Sequence, residues 1–273
     1  MLSKLLKYDF KAIYKYFVPM TIFMLAYSLL GTLLFNINNP SVYEGSTLYN
    51  IAVMLVITAF IVMVIAYNLI TQGIIVVNFY KSMATDTGYL THTLPVKKST
   101  ILLSKTLTSV IILAISTLVL GICLIVFLDV PSNFAKLYPT IANFLTEVKD
   151  IVGTATFVWT IIAGILVIIA SYLLSTSMYF ASIAFGQLIN RHKIIGSFVS
   201  YFVISIIFQI FTSILSFLFS TSSVVLDSVE SLARVNTSIV PLFLVGCSVL
   251  ELVVGFGLLF VTHWIFTKKL NLD

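Results

Sequence analysis

The sequence predicts an all-α polytopic membrane protein with an N-terminal amphipathic interfacial helix, six transmembrane helices and both termini in the cytoplasm. Of its 273 residues, 60% are hydrophobic and 9% are charged, and the mean hydropathy is +1.12. Six long apolar runs divide the chain, and most Lys and Arg residues lie between alternate runs. A chain this apolar cannot cover itself with a solvated surface, which excludes a soluble globular protein.

Residues 1–17 have the pattern of an amphipathic helix in the cytoplasmic interface. At about 100° per residue, leucines and aromatic side chains occupy the side opposite to four lysines. These are Lys4, Lys7, Lys11 and Lys15. Asp9 falls on the apolar side, where an unpaired carboxylate is costly, so we expect it to have a partner. Pro19 offers a place to turn into the first span.

The six apolar runs are each near or above the ~20 residues that a helix needs to cross the hydrocarbon core. They comprise residues 18–35, 51–77, 101–128, 154–186, 197–219 and 239–266. Together with their connections they form one predicted six-span domain, residues 18–273.

The distribution of basic residues predicts which segments face the cytoplasm. Twelve of the 15 Lys and Arg residues fall on one side of the predicted membrane. Only Lys136, Lys149 and Arg234 fall on the other side, where acidic residues predominate. The net charge of +5 therefore reflects topology, and no basic face interleaved with aromatic residues indicates nucleic-acid binding.

The longest cytoplasmic connection is the segment 78–98, which exceeds what a hairpin between two spans requires. Its partial apolar stripe predicts a short helix parallel to the membrane, held out by a second span that is longer than the bilayer. Two interpretations remain open. The segment docks onto a soluble partner, or it is an interfacial loop anchored by Tyr80 and Tyr89 at headgroup level.

Two extracytoplasmic segments also have helical patterns. Residues 129–153 carry apolar side chains mostly three and four positions apart, which predicts an amphipathic helix on the outer surface. Residues 220–238 form a shorter segment in which apolar side chains again lie beside charged ones. Each segment can shape an exit gate or pack at the interface.

A few polar side chains lie inside the predicted spans. Glu251 lies near mid-depth of the sixth span, where a charge costs about 3 kcal/mol or more unless it is neutral, paired or hydrated. It either lines a translocation path or cation site, or holds helices together as a protonated or hydrogen-bonded group. Asn68, Gln72 and Gln209 are expected to form hydrogen bonds between helices.

Several site classes have no signal in the sequence. It contains no GxxxxGK[ST] phosphate loop and no HExxH motif. His92, His192 and His263 lie in separate cytoplasmic segments, and Cys123 and Cys247 lie inside spans. We therefore expect no metal site, no cofactor bound by this chain and a role in transport without catalysis.

Four stretches carry a resemblance to a known family: MLSKLLKYDFKAIYKYFVPM, FYK, GYLTHTLPVKK with ILLSK after it, and FGQLINRHKIIGSF. In these motifs, and in length, span count and segment order, the chain resembles the permease subunits of ABC type-2 exporters of Gram-positive bacteria. The resemblance implies a plasma-membrane protein that works as two permease copies with two separate ATPase subunits. ATP and Mg²⁺ would bind to those partner subunits.

The resemblance also implies roles for individual residues. Residues 79–92 would form the coupling helix in a cleft of the ATPase subunit, with Phe79, Tyr80, Lys81, Met83, Asp86, Tyr89 and His92 as its contact residues. The turn 187–196 would make a smaller contact through Gln187, Arg191, His192 and Lys193. Residues 220–238 occupy the place of an extracellular re-entrant hairpin.

The expected function is ATP-driven export of an amphiphilic compound such as an antimicrobial peptide or drug. One alternative is a permease that exports sodium ions, which calls for more carboxylates or carbonyl-lined breaks at mid-depth than Glu251 supplies. Another is a non-transporting membrane sensor or scaffold of similar topology.

Overall fold

The computed structural model describes residues 2–37, 47–85, 96–128, 153–189, 192–227 and 239–268, with Pro139, Ala142, Asn143, Thr146, Glu147 and Lys149. Of 34–37, 48, 49, 128, 219–227, 239 and 240 it describes the backbone alone. The regular structure of these residues is entirely helical. The long helices are α1 (Leu2–Ile37), α2 (Thr47–Ala84), α3 (Lys98–Leu128), α4 (Thr154–Gly186), α5 (Lys193–Asp227) and α6 (Ile239–Lys268).

Within the described part of the chain, six helices are long and apolar enough to cross a membrane. A spanning helix satisfies every backbone hydrogen bond internally, so apolar runs of this length fold as continuous helices. The prediction of six such helices is confirmed, and their order agrees with the six runs.

The prediction of a turn at Pro19 is wrong, because α1 is continuous from Leu2–Ile37 with Pro19 inside it. A proline removes one backbone donor, and the remaining hydrogen bonds of a long apolar helix tolerate that loss. The four lysines of residues 1–17 are exposed, while Ile13 and Phe17 are buried and Asp9 is half-buried with an interaction partner. Tyr16, one of the aromatic residues predicted to lie on the side opposite to the lysines, is 59% exposed.

Other boundaries also differ from the sequence prediction. α2 continues to Ala84, so the first residues of the segment 78–98 belong to it, and residues 86–95 lie outside the described residues. α5 continues to Asp227, which places the first part of 220–238 in that helix. The six described residues of 129–153 that precede Gly153 are helical, whereas the apolar stripe predicted there lies outside the described residues.

The chain divides into two compact units. Unit 1 comprises Met1–Asn78 and Leu107–Val148. In it, the rings of Phe60 and Phe127 stack with centroids 3.8 Å apart. The Thr32 hydroxyl donates a 2.6 Å hydrogen bond to the Val126 carbonyl, which joins α1 to α3.

Unit 2 comprises Phe79–Thr106 and Lys149–Asp273, and α4 packs against both α5 and α6 in it. A Cβ on Gly255 of α6 would lie 3.3 Å from the Leu173 side chain, so the two helices approach closely there. Nearer the N-termini of both helices, the first turns of α4 and α6 line one apolar cavity of about 350 Å³. The two contacts show that α4 and α6 run parallel.

Candidate functional site

The candidate site lies at one end of unit 2, which we call the lysine end. Five helix termini lie at this end: the end of α2 at Ala84, the start of α3 at Lys98, the end of α4 at Gly186, the start of α5 at Lys193 and the end of α6 at Lys268. The described parts of the segment 78–98 that belong to unit 2, residues 79–85 and 96–98, lie at this end. Whatever holds the two ends of that segment therefore belongs to this end of unit 2.

An aromatic cluster of three phenylalanines holds the first end. The Phe79 and Phe180 rings stack with centroids 3.7 Å apart and planes 10° apart. Phe266 meets Phe79 edge-on, with centroids 6.0 Å apart and planes at 72°. All three side chains are at most 3% exposed. The cluster joins the end of α2 to α4 and α6.

Lys98 holds the other end of the segment. Its Nζ donates a 3.0 Å hydrogen bond to the Phe266 carbonyl, in the last turn of α6. The last carbonyls of a helix lack intrahelical donors and carry partial negative charge, so an ammonium group is well placed there. Both ends of the segment 78–98 are therefore attached to the same turn of α6.

The first turns of α3 extend this contact into the interior of unit 2. Ile101, Leu102 and Ser104 are buried, and Lys105 is only 6% exposed and has an interaction partner. From the sequence, Lys105 counts as one more basic residue of a cytoplasmic connection. Its burial shows that this helix end is packed against protein.

The turn between α4 and α5 is tight. The Gln187 and Leu188 amides donate to the Ile183 and Phe185 carbonyls, which closes the end of α4. A Cβ on Gly186 would lie 2.6 Å from the Ser197 Cα, a separation that real contacts do not reach. Only glycine permits the two helices to approach this closely.

The residues predicted to contact an ATPase differ in how exposed their side chains are. Phe79 and Met83 are each 1% exposed, so their side chains pack inside the chain, and their role at an ATPase contact stays a prediction. Apolar side chains at helical spacing are buried by the nearest helices, and α4 and α6 supply that surface here. Tyr80 is half-buried and Lys81 is exposed. Asp86, Tyr89 and His92 lie outside the described residues.

The second predicted contact is more open. His192 is exposed, and Gln187 and Lys193 are half-buried. The Gln187 Nε2 atom is buried and has no hydrogen-bond partner among the described residues. Arg191 lies outside them.

No protein-family model, curated protein or solved structure matches this chain.

The polar side chains inside the long helices differ in exposure. Glu251 is half-buried, and its Oε2 atom is buried with no hydrogen-bond partner in the described part of the chain. One turn further along α6, Gly255 contacts α4, so Glu251 lies on the face of α6 that approaches α4. Asn68 and Gln72 of α2 are half-buried, whereas Gln209 of α5 is exposed.

The described residues contain no group of three or more His, Cys, Asp or Glu side chains that could hold a metal ion. The lysine end instead attaches one segment at both of its ends: Phe79 contacts α4 and α6, and Lys98 contacts α6. The sequence does not predict the roles of Phe180 and Phe266 or the Lys98 contact. A run of apolar residues does not indicate which side chains of two different helices will be in contact.

Replacing Lys98 with methionine is expected to lower the free energy of unfolding by about 1–2 kcal/mol, since a hydrogen bond from a charged group to a helix terminus is lost. The measurement is an SDS titration of the purified protein. Lys97→Met is the matched control, because Lys97 is adjacent and exposed. Equal effects of the two substitutions would show that the contact with Phe266 adds nothing.

Proposed function

We propose that this chain is the permease subunit of an ATP-driven exporter of the ABC type-2 class, located in the plasma membrane of a Gram-positive bacterium. Six helices that can cross a membrane support a transport role. The observation that carries the proposal is that the segment 78–98 is attached at both ends, through Phe79 to α4 and α6 and through Lys98 to α6. A segment held in this way passes displacement to the membrane helices instead of absorbing it.

In this proposal both termini and the segment 78–98 face the cytoplasm, and the lysine-bearing face of residues 1–17 lies in the membrane interface. A separate ATPase subunit, which binds ATP and Mg²⁺, docks on the segment 78–98 and on the turn 187–196. Closure of two such subunits pushes the segment toward the membrane. The aromatic cluster and Lys98 then move α4 and α6, which switches a path between two permease chains from inward to outward access.

The proposed cargo is an amphiphilic compound, such as an antimicrobial peptide or drug. An exporter of this kind gives its host resistance to that compound. In this proposal fewer side chains contact the ATPase than the sequence indicates. The contact residues are Tyr80, Lys81 and the central residues of the segment, while Phe79 and Met83 support them from inside.

Affinity purification of the tagged chain in mild detergent tests the proposal. We expect wild type to retain an ATPase of roughly 25–35 kDa, the size of a compact domain of this type. A variant with Tyr80→Ala, Asp86→Ala and Tyr89→Ala is expected to retain at least about tenfold less, because the loss of three contact side chains removes several kcal/mol of binding energy.

The matched control carries three substitutions on the predicted opposite side of the membrane: Lys136→Ala, Glu147→Ala and Lys149→Ala. It is expected to retain the ATPase at the wild-type level. If wild type retains no ATPase in several mild detergents, the proposal fails and the sensor or scaffold alternative replaces it.

Export of sodium ions is a second candidate, favoured by one observation. The buried Oε2 atom of Glu251 has no hydrogen-bond partner among the described residues, and a sodium ion could be coordinated by that carboxylate oxygen instead. Sodium flux into vesicles that contain the purified complex separates the two candidates. ATP-dependent flux that Glu251→Gln abolishes would replace the amphiphile as cargo.

A further inference from the structure

Unit 2 has an apolar cavity at the end opposite to the lysine end. Its volume is about 350 Å³, and it lies between the first turns of α4 and α6. This volume falls in the range of about 300–1,000 Å³ that is usual for small-ligand pockets. The lining residues are Ala155, Thr156, Trp159, Pro241, Leu242 and Val245. The proposed function assigns no role to this cavity.

The cavity is open on one side. Trp159 is 63% exposed and Leu242 is 72% exposed, so no described part of the chain covers the larger part of either side chain. Among the lining side chains, only the Thr156 hydroxyl and the Trp159 indole N–H can form hydrogen bonds. A cavity with these walls favours an apolar occupant, because burial of apolar surface is the main contribution that such walls can make to binding.

Helix length places the cavity near the boundary between the headgroups and the hydrocarbon. The 33 residues of α4 extend about 50 Å, whereas a bilayer measures about 40–45 Å with its headgroups and about 30 Å without them. Trp159 is the sixth residue of α4, about 8 Å from its start. If α4 is centred on the bilayer, Trp159 lies close to the hydrocarbon boundary, where tryptophan is enriched.

Positive charge lies beside the cavity, at the starts of the two helices. No side chain caps α4, and the first amide of α4 that bonds to the Gly153 carbonyl is that of Phe157. The three preceding amides have no acceptor within α4 and carry partial positive charge. The start of the parallel helix α6 adds to this charge. Lys149 is exposed one turn before α4, where its carbonyl accepts a 2.8 Å hydrogen bond from the Gly153 amide.

We propose that the cavity is the binding site of an anionic phospholipid, in the outer leaflet of the proposed topology. An acyl chain occupies the space between α4 and α6, and the phosphate lies at the starts of these helices beside Lys149. The site and the lipid have the same order along the membrane normal, with charge at headgroup level and apolar groups below it. An uncharged amphiphile matches the apolar walls alone.

This inference goes beyond the proposed function, and its test needs neither an ATPase nor a cargo. The two ideas can therefore fail separately. The ATPase can be retained by a chain whose cavity holds no lipid, and the lipid can bind to a chain that retains no ATPase.

Quenching of Trp159 fluorescence by brominated lipids tests the inference. The chain has two tryptophans, so Trp264→Phe leaves Trp159 as the only one. The purified full chain is placed in phosphatidylcholine vesicles that contain a minor fraction of phosphatidylglycerol brominated on its acyl chains. A second sample contains the same fraction of brominated phosphatidylcholine. Lipids that merely surround the protein quench equally with either headgroup. We expect phosphatidylglycerol to quench at least threefold more strongly.

A pair of alanine substitutions tests whether the quenching lipid lies in the cavity. Ala155→Phe places a ring in the cavity and is expected to remove the excess quenching by phosphatidylglycerol. Ala52→Phe is the matched control, because Ala52 is also exposed and is the sixth residue of α2. It is expected to leave the excess unchanged. Equal effects of the two substitutions overturn the inference, since the preferred lipid would then lie outside the cavity.

A pair of lysine substitutions tests the headgroup contact. Lys149→Met is expected to lower the preference for phosphatidylglycerol at least twofold, whereas Lys136→Met, which removes a charge predicted on the same side of the membrane, is expected to retain it. Equal losses in the two variants overturn the inference, because overall charge would then account for the preference. Absence of quenching by either lipid also overturns it, since another part of this chain or a second protein would then cover Trp159.

Discussion

Replacing Gly186 with alanine is expected to lower the free energy of unfolding by about 3 kcal/mol or more, the upper range for forcing an extra atom into a packed interior. The added Cβ would lie 2.6 Å from the Ser197 Cα and would also meet the Ser197 hydroxyl and amide. Two of these three atoms belong to the backbone, which cannot move aside as a flexible side chain can. The turn between α4 and α5 must open instead.

Gly164→Ala is the matched control, because Gly164 lies in the same helix with no heavy atom within 4 Å of an added Cβ. Alanine is the better helix former, so this variant is expected to be unchanged or up to about 1 kcal/mol more stable. Thermal unfolding and SDS titration of the purified variants measure the difference. Combining Gly186→Ala with Ser197→Gly should not restore stability, because the backbone contacts remain. Full restoration of stability in the double variant would show that the added Cβ clashes with the Ser197 side chain alone.

Phe180→Ala is expected to lower the free energy of unfolding by about 3–5 kcal/mol, because it removes a fully buried ring and leaves a cavity. The Phe180 side chain is 0% exposed and forms the stack with Phe79. The variant removes a ring that supports the segment 78–98, while the side chains of that segment are unchanged. We therefore also expect it to weaken stimulation of a bound ATPase by substrate more than it weakens retention of the ATPase.

The control for Phe180 is Phe260→Ala, which removes an identical ring from α6 where it is 73% exposed. Its expected effect is below about 1 kcal/mol, since no cavity forms at a surface that surrounding lipid or detergent can fill. SDS titration compares the two variants. Equal losses of stability would show that the aromatic cluster is no more tightly packed than the outer surface of α6.

Much of the helix content could be predicted, and most of the packing could not. Apolar runs of sufficient length predict membrane helices because hydrocarbon leaves the backbone no other solution. Helix ends were less predictable: α1 passes through Pro19 and α2 continues to Ala84, since packing extends a helix beyond its apolar run. The sequence also indicates that the segment 78–98 is unusual, without indicating which of its side chains turn inward.

The residues of the candidate site illustrate the same limit. Phe79 and Tyr80 are adjacent aromatic residues, yet one is buried in the aromatic cluster and the other is half-buried. Which of the two turns inward depends on the position of α4, and that is a property of the assembled unit.

The hydrogen bond from Lys98 to the Phe266 carbonyl joins residues 168 positions apart. During synthesis, α3 must therefore wait for three further helices before its first turn finds this partner. The aromatic cluster is likewise incomplete until Phe266 arrives, although Phe79 and Phe180 precede it in the chain. The last helix thus acts as the closing member of the lysine end. Assembly at this end is necessarily a late event in biogenesis, completed after the other five helices have been made.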